Sequence, residues 1–211
     1  SENRLYQVTK YKEPLHTLNP LKPTPYRQTM IQPNIDRETL TQTLKDLVKI
    51  DSVNPSLVEG AAGESEIADY LEQWMKAHGL DAKRYDVEPG RPNVVGTLHG
   101  IGGGKTLLLN GHTDTVGVEY MTIDPFNPVI EDGRLHGRGS FDMKGGLAAS
   151  MAALKTIIDE GTQLRGDVIL ATVCDEEYAS IGTERLMRDT TADAAIVGEF
   201  TGGNIQVCLL Y

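Results

Sequence analysis

One histidine and a set of carboxylates recur behind apolar runs, and their types and spacing could bind a metal ion. Thr106 to Asn110 is followed by Gly111-His112-Thr113-Asp114, Asp167 to Val173 by Asp175-Glu176-Glu177, and Ala194 to Val197 by Gly198-Glu199. Asp142 stands at the entry to a helical stretch, behind Gly137-Arg138-Gly139-Ser140-Phe141. If the apolar runs are strands of one open sheet, these side chains converge on its carboxyl rim, where such sheets bind ligands. Ionised carboxylates packed within a few ångströms repel one another and raise each other's pKa values, so the cluster needs a cation. One imidazole among carboxylates suits zinc, with cobalt or manganese as substitutes, better than calcium, which prefers oxygen ligands throughout. On an extended backbone residues i and i+2 share a face, so Asp114 can accept the second ring N–H of His112 and leave the other nitrogen for a metal. Glu176 and Glu177 are adjacent, and neighbours on a strand point apart, so one can ligate while the other faces the water. Taken alone, this acidic run is equally a solvated turn. A carboxylate pair could also serve a glycosidase, a reading that His112 beside Asp114 speaks against. His16, His78, His99 and His136 read as solvated or structural.

The elements that must position these residues follow from hydrophobic period. From Asp36, Leu40, Leu44, Leu47 and Val48 fall on one face of a helix that should stop before Asn54-Pro55. Glu64 to His78 carries Ile67, Tyr70, Leu71, Trp74 and Met75 on one face and ends at Gly79, a left-handed cap. Ala82 to Val87, Asn93 to Leu98 and Thr106 to Asn110 read as strands, the last apolar enough to be central. Gly100 to Gly104 reads as a hairpin-like turn, since no strand-then-helix context marks it as a phosphate loop. Met143 to Glu160 is a helix with Leu147, Met151, Leu154, Ile157 and Ile158 inward, and Gly145, Gly146, Ala148 and Ala149 allow close packing. Asp167 to Val173 and Ala194 to Val197 are strands around a short helix at Ser180 to Arg188. The alternation predicts an α/β fold with a mostly parallel central sheet flanked by helices. Residues 1–33, with Pro14, Pro20, Pro23, Pro25 and Pro33, read as an extended N-terminal arm ahead of a single folded unit at 34–211.

The chain has 211 residues, 39% of them apolar, and a formal net charge of -10. That balance argues against nucleic acid and anionic membranes as partners. Two cysteines, Cys174 and Cys208, make no disulfide framework. No apolar run reaches the roughly 20 residues of a membrane helix, and no secretory signal is apparent, so a cytoplasmic location is expected.

Taken in order, Asn110-Gly111-His112-Thr113-Asp114, Gly137-Arg138-Gly139 with Asp142-Met143-Lys144-Gly145-Gly146, Asp175-Glu176-Glu177 and Gly198-Glu199 resemble a known family. It is the di-zinc metallopeptidase and amidohydrolase family of acetylornithine deacetylase, succinyl-diaminopimelate desuccinylase, aminoacylase and glutamate carboxypeptidase. The resemblance spans about residues 36 to 204 and implies hydrolysis of amide bonds in N-acyl amino acids or small peptides. It implies that Asp142 bridges two metals, that His112 and Glu199 complete one site, and that Glu177 serves the other. Asp114 would orient His112, and Glu176 would be the general base. The peptide after the bridging aspartate, Asp142-Met143, would be cis.

Family members are nearly twice as long, so the resemblance also implies a truncated catalytic domain, with the lid and dimerisation domain and a last histidine ligand absent. One zinc site would then have three protein ligands, and the second would be incomplete. Phe200 follows Glu199 where the family commonly has proline. Ile205 to Tyr211 reads as an apolar edge strand, a candidate for self-association with another copy.

Overall fold

The computed structural model describes residues 34–201. The arm read for residues 1–33 and the edge strand read for 205–211 therefore lie outside the described residues. Helix α1, Arg37–Lys49, begins where the Asp36 side chain accepts the Glu38 amide, and buries Leu47 and Val48. Helix α2, Ser65–Ala77, buries Ile67, Leu71 and Met75 and ends before Gly79, whose φ of 77° is one that glycine adopts without strain. Strands β1, Asp81–Glu88, and β2, Arg91–Leu98, form an antiparallel pair. Strand β3, Leu107–His112, follows the glycine-rich turn. A small two-stranded ribbon, β4 (Val129–Glu131) and β5 (Arg134–His136), occupies the loop before α3, Lys144–Asp159. Strand β6, Val168–Val173, helix α4, Ile181–Asp189, and strand β7, Ala194–Val197, complete the order.

The main sheet runs β1-β2-β6-β3-β7. β6, β3 and β7 are parallel, β2 is antiparallel to β6, and β1 antiparallel to β2. Only β2 is reversed, so the sheet is mostly parallel, as the alternation of elements predicts. β6 is central because every one of its residues is buried. Its alternate side chains serve two layers. Val168 and Leu170 join Leu47 of α1, Leu71 of α2, and Leu147 and Met151 of α3 on one face. Ile169, Ala171 and Val173 join Leu186 of α4 on the other. Helices thus cover both faces, which is why the β6 sequence VILATV shows no polar alternation.

The Gly100–Gly104 turn does not close a hairpin, because β6 lies between β2 and β3. Those glycines instead let the turn cross the entry to β6: a Cβ on Gly104 would stand 2.3 Å from the Gly166 nitrogen. Glu176 and Glu177 lie in a turn, not on a strand, because Asp175 takes a φ of 62° and ends the extended run. Among the described residues no helix is long and apolar enough to cross a membrane.

Candidate active site

The carboxyl ends of β3, β6 and β7 share one rim, and register brings their trailing residues together. His112 pairs with Val173 and Asn110 with Val197. Beyond those pairs the Thr113 amide donates to the Val173 carbonyl at 2.9 Å. Close packing of α3 brings the other members in. A Cβ on Gly146 would stand 2.0 Å from the Gly198 carbonyl oxygen, and one on Gly111 2.6 Å from Leu147 Cδ2. At Gly146 the atom in the way is backbone, so glycine is required there for Glu199 to approach His112, whereas at Gly111 the Leu147 side chain could give way. The Asp142–Met143 peptide is cis.

His112 is the centre of the cluster. Its ring is buried, and Nε2 lies 3.1 Å from Asp142 Oδ1, 3.6 Å from Glu199 Oε1 and 3.7 Å from Glu176 Oε2. The other ring nitrogen, Nδ1, is 2.9 Å from the Asp114 backbone oxygen. Donation there leaves the Nε2 lone pair aimed at the carboxylates when the ring is neutral. His112, Glu176 and Glu199 can present one ligand atom each within 4.8 Å of one another, and so can His112, Asp142 and Glu177. The carboxylates of Asp142, Glu176 and Glu199 remain a third or more exposed, so the cluster opens to solvent.

The Asp114 carboxylate stands 3.6 Å from Nδ1, farther than the expected ring hydrogen bond. It is engaged elsewhere: Oδ1 accepts the Glu176 amide at 2.9 Å, and Oδ2 accepts the Glu177 amide at 3.1 Å and Asn54 Nδ2 at 2.7 Å. The Asp114 carbonyl, not its carboxylate, thus lies within hydrogen-bond distance of the ring, and the carboxylate ties the Glu176–Glu177 turn. Burial pushes this carboxyl up, but His112, the Glu176 amide and Asn54 outweigh burial and hold it below its ordinary value.

Electrostatics show what the cluster does without a cation. Burial opposes a charged His112 ring, yet Asp114, Glu199 and Glu176 raise its pKa to about 9. Glu177 is pushed up to about 7, first by burial and then by Asp142, and burial also raises Glu199. Protons would be held where like charges crowd, and a divalent cation would displace them.

Sequence reasoning missed the layer beneath. In the sequence Asn54 signals only a helix stop, Glu64 and Arg91 give no sign of a role at the site, and Asp175 appears only as a member of the acidic run, because each polar side chain is satisfied by a partner distant in sequence. Arg91 bonds Glu64 through Nε and Nη2, both at 2.7 Å, and Asp175 Oδ1 through Nη2 at 2.8 Å. Lys144 is also buried, with Nζ donating to the Ile50 carbonyl at 2.8 Å. Outside the cluster, exposed Phe141 and Phe200, neighbours of Asp142 and Glu199, bring their ring centres within 4.8 Å.

Comparison with known families matches residues 108–208 to Peptidase family M20/M25/M40. The chain belongs to this peptidase family. Among curated relatives of this M20 chain, the N-formyl-4-amino-5-aminomethyl-2-methylpyrimidine deformylase of Bacillus subtilis is 38% identical over 176 residues, covering 81% of this chain and 40% of the relative. Succinyl-diaminopimelate desuccinylase 2 of Ruegeria is 38% identical over 165 residues, covering 74% and 40%. Of solved structures, an M20 family metallo-carboxypeptidase from Sulfolobus solfataricus superposes with a TM-score of 0.63 at 28% identity, covering 75% of this chain and 37% of that one. The M20 chain spans about 40% of the length of these curated relatives. Its family is one of metal-dependent hydrolases, and its α/β fold is that of the M20 catalytic domain.

Proposed function

We propose that the protein hydrolyses amide bonds of N-acyl amino acids or small peptides at a two-metal site, and that residues 34–211 supply part of its catalytic domain, behind an arm at 1–33. The reading rests above all on the convergence of Asp142, Glu177 and Glu199 around one imidazole nitrogen: His112 lies within ligand distance of Glu199 in one group and of Asp142 and Glu177 in another. The donor set fits: one neutral imidazole nitrogen and mixed carboxylates favour zinc, with cobalt or manganese as substitutes. Asp142 would serve both metals, with His112 and Glu199 at one and Glu177 at the other. Metal ions there would polarise the scissile carbonyl and make a bound water more acidic.

The chain's own residues would do the rest. Glu176, half-exposed and 3.7 Å from the imidazole, would take the water's proton and return it to the leaving amine, general acid–base work that a carboxylate at a solvent-open rim can perform. Asp114 would hold His112 in the tautomer that presents Nε2. The names of the deformylase and desuccinylase relatives make N-formyl and N-succinyl amides the first substrates to try.

The deciding experiment is zinc stoichiometry of the dialysed protein beside Asp142→Ala, with hydrolysis assays on wild type and Glu176→Gln. Zinc lost with Asp142→Ala, and turnover lost with Glu176→Gln while zinc is retained, is the expected pattern. No zinc in the wild type would overturn the metal reading. A second reading, a non-catalytic metal-binding domain that self-associates, draws on β7: Ile196 and Val197 are more than half exposed, and among the described residues β7 pairs only with β3. Zinc binding without turnover, together with a concentration-dependent dimer in ultracentrifugation, would favour it.

A further inference from the structure

Under the rim lies a buried polar network whose shape matches a task. Arg91 opens β2, and its guanidinium is almost fully buried between Glu64 and Asp175. Besides these two carboxylates it donates to Asn54 Oδ1 at 3.1 Å and Ser56 Oγ at 3.0 Å. The Glu64 carboxylate, fully buried, also accepts the Asp175 amide at 3.2 Å. Asn54, equally buried, donates one amide nitrogen to two acids: Asp114 Oδ2 at 2.7 Å and Asp175 Oδ1 at 3.0 Å. The network therefore touches both ends of the cluster. One end is Asp114, whose carbonyl lies within hydrogen-bond distance of the His112 ring; the other is Asp175, the left-handed residue that starts the turn carrying Glu176 and Glu177.

We propose that Arg91, acting through Asn54 and Asp175, is a positioning residue that holds the Glu176–Glu177 turn against His112. An aspartate adopts φ near 60° more readily than most side chains, but the conformation still costs energy that its surroundings must offset. Here Arg91 and Asn54 hold the Asp175 side chain while Glu64 holds its amide. Asn54 in turn keeps Asp114 Oδ2 in place to receive the Glu177 amide, and Asp114 Oδ1 receives that of Glu176. The fork geometry is essential. Five N–H groups in one plane meet Glu64, Asp175, Asn54 and Ser56 together, whereas an ammonium of the same charge has a single nitrogen and cannot span them.

The test reads backbone protection first, by amide hydrogen exchange in the isotope-labelled chain. In wild type the Glu176 and Glu177 amides exchange slowly. In Arg91→Lys they exchange at least about tenfold faster, while Leu170 and Ala171 of β6 keep their protection. Arg84→Lys, on the exposed pair with Asp69 of β1 and α2, changes neither set. Cobalt titration followed by visible absorption is the second readout, with affinity falling about 10- to 100-fold in Arg91→Lys. That second readout rests on the metal-hydrolase reading: a wild type that binds no cobalt sinks that reading, while the exchange data still judge Arg91. If Arg91→Lys loses β6 protection, Asn54→Ser, which keeps every buried ion pair, must show the same selective loss at Glu176 and Glu177. Unprotected Glu176 and Glu177 amides in wild type, unchanged protection there in a folded variant, or loss of β6 protection in both variants overturns the proposal.

Discussion

His112 and Lys144 are two buried bases whose surroundings push them in opposite directions. In metal-free protein the carboxylates around His112 outweigh its burial and lift it to about 9. Its ring should titrate near that pH by NMR, and the titration should vanish when zinc is added. Since the folded value exceeds the ordinary 6.5, the ring's contribution to stability is complete below about 6.5 and is lost as pH rises through about 9. A ring titrating at or below 6.5 would mean the carboxylates do not converge. Lys144 is pushed down to about 7 by burial, with Asp51 offsetting part of the effect. Between about 7 and 10.5 the unfolded chain binds a proton that the folded chain does not, so this residue makes stability rise with pH across that window. Replacing it by Met should stabilise the chain by about 1–4 kcal/mol at pH 6, and urea unfolding should show that gain shrinking toward pH 10. A gain independent of pH would place Nζ in solvent.

At the scale of elements, the site depends on how closely α3 lies on β3 and β7. Gly146 against Gly198 is the narrowest approach, with backbone rather than a flexible side chain in the way. Gly146→Ala should cost about 1–3 kcal/mol in denaturant unfolding, since α3 or the β7 end must shift, and should weaken zinc binding because Glu199 follows directly. Full stability with unchanged zinc affinity would contradict this packing. For comparison, truncating the central strand with Leu170→Ala should cost about 2–5 kcal/mol without a direct effect on the ligands. The two variants separate loss of core from loss of aim.

At the scale of the whole molecule, the acidic excess and the ligand cluster predict a chain stabilised by divalent cations. Zinc at about 100 times its Kd should add about 2.7 kcal/mol. For a chain of this size that is roughly 5–11 °C in Tm by scanning calorimetry. Asp142→Ala should lose most of the shift. An equal shift in that variant would place the zinc elsewhere on the acidic surface.

Hydrophobic period and the order of short motifs determined a large part of this protein. The apolar faces of α1, α2 and α3 and the unbroken β6 run specified a sheet covered on both sides, because burial imposes periods of 3.6 and 2 that can be read without coordinates. The same order placed His112, Glu177 and Glu199 behind strands that end at one rim, and Asp142 at the entry to α3. Tertiary structure alone decided the strand order, since β6 enters between β2 and β3 by pairing far along the chain, and the hairpin reading of Gly100–Gly104 gave way to it. It also decided which atoms hold the rim. A sequence displays which groups can donate and accept, but not which distant partners satisfy them once water is excluded. For that reason Asn54, Glu64 and Arg91 became visible only when folding removed the water from around them.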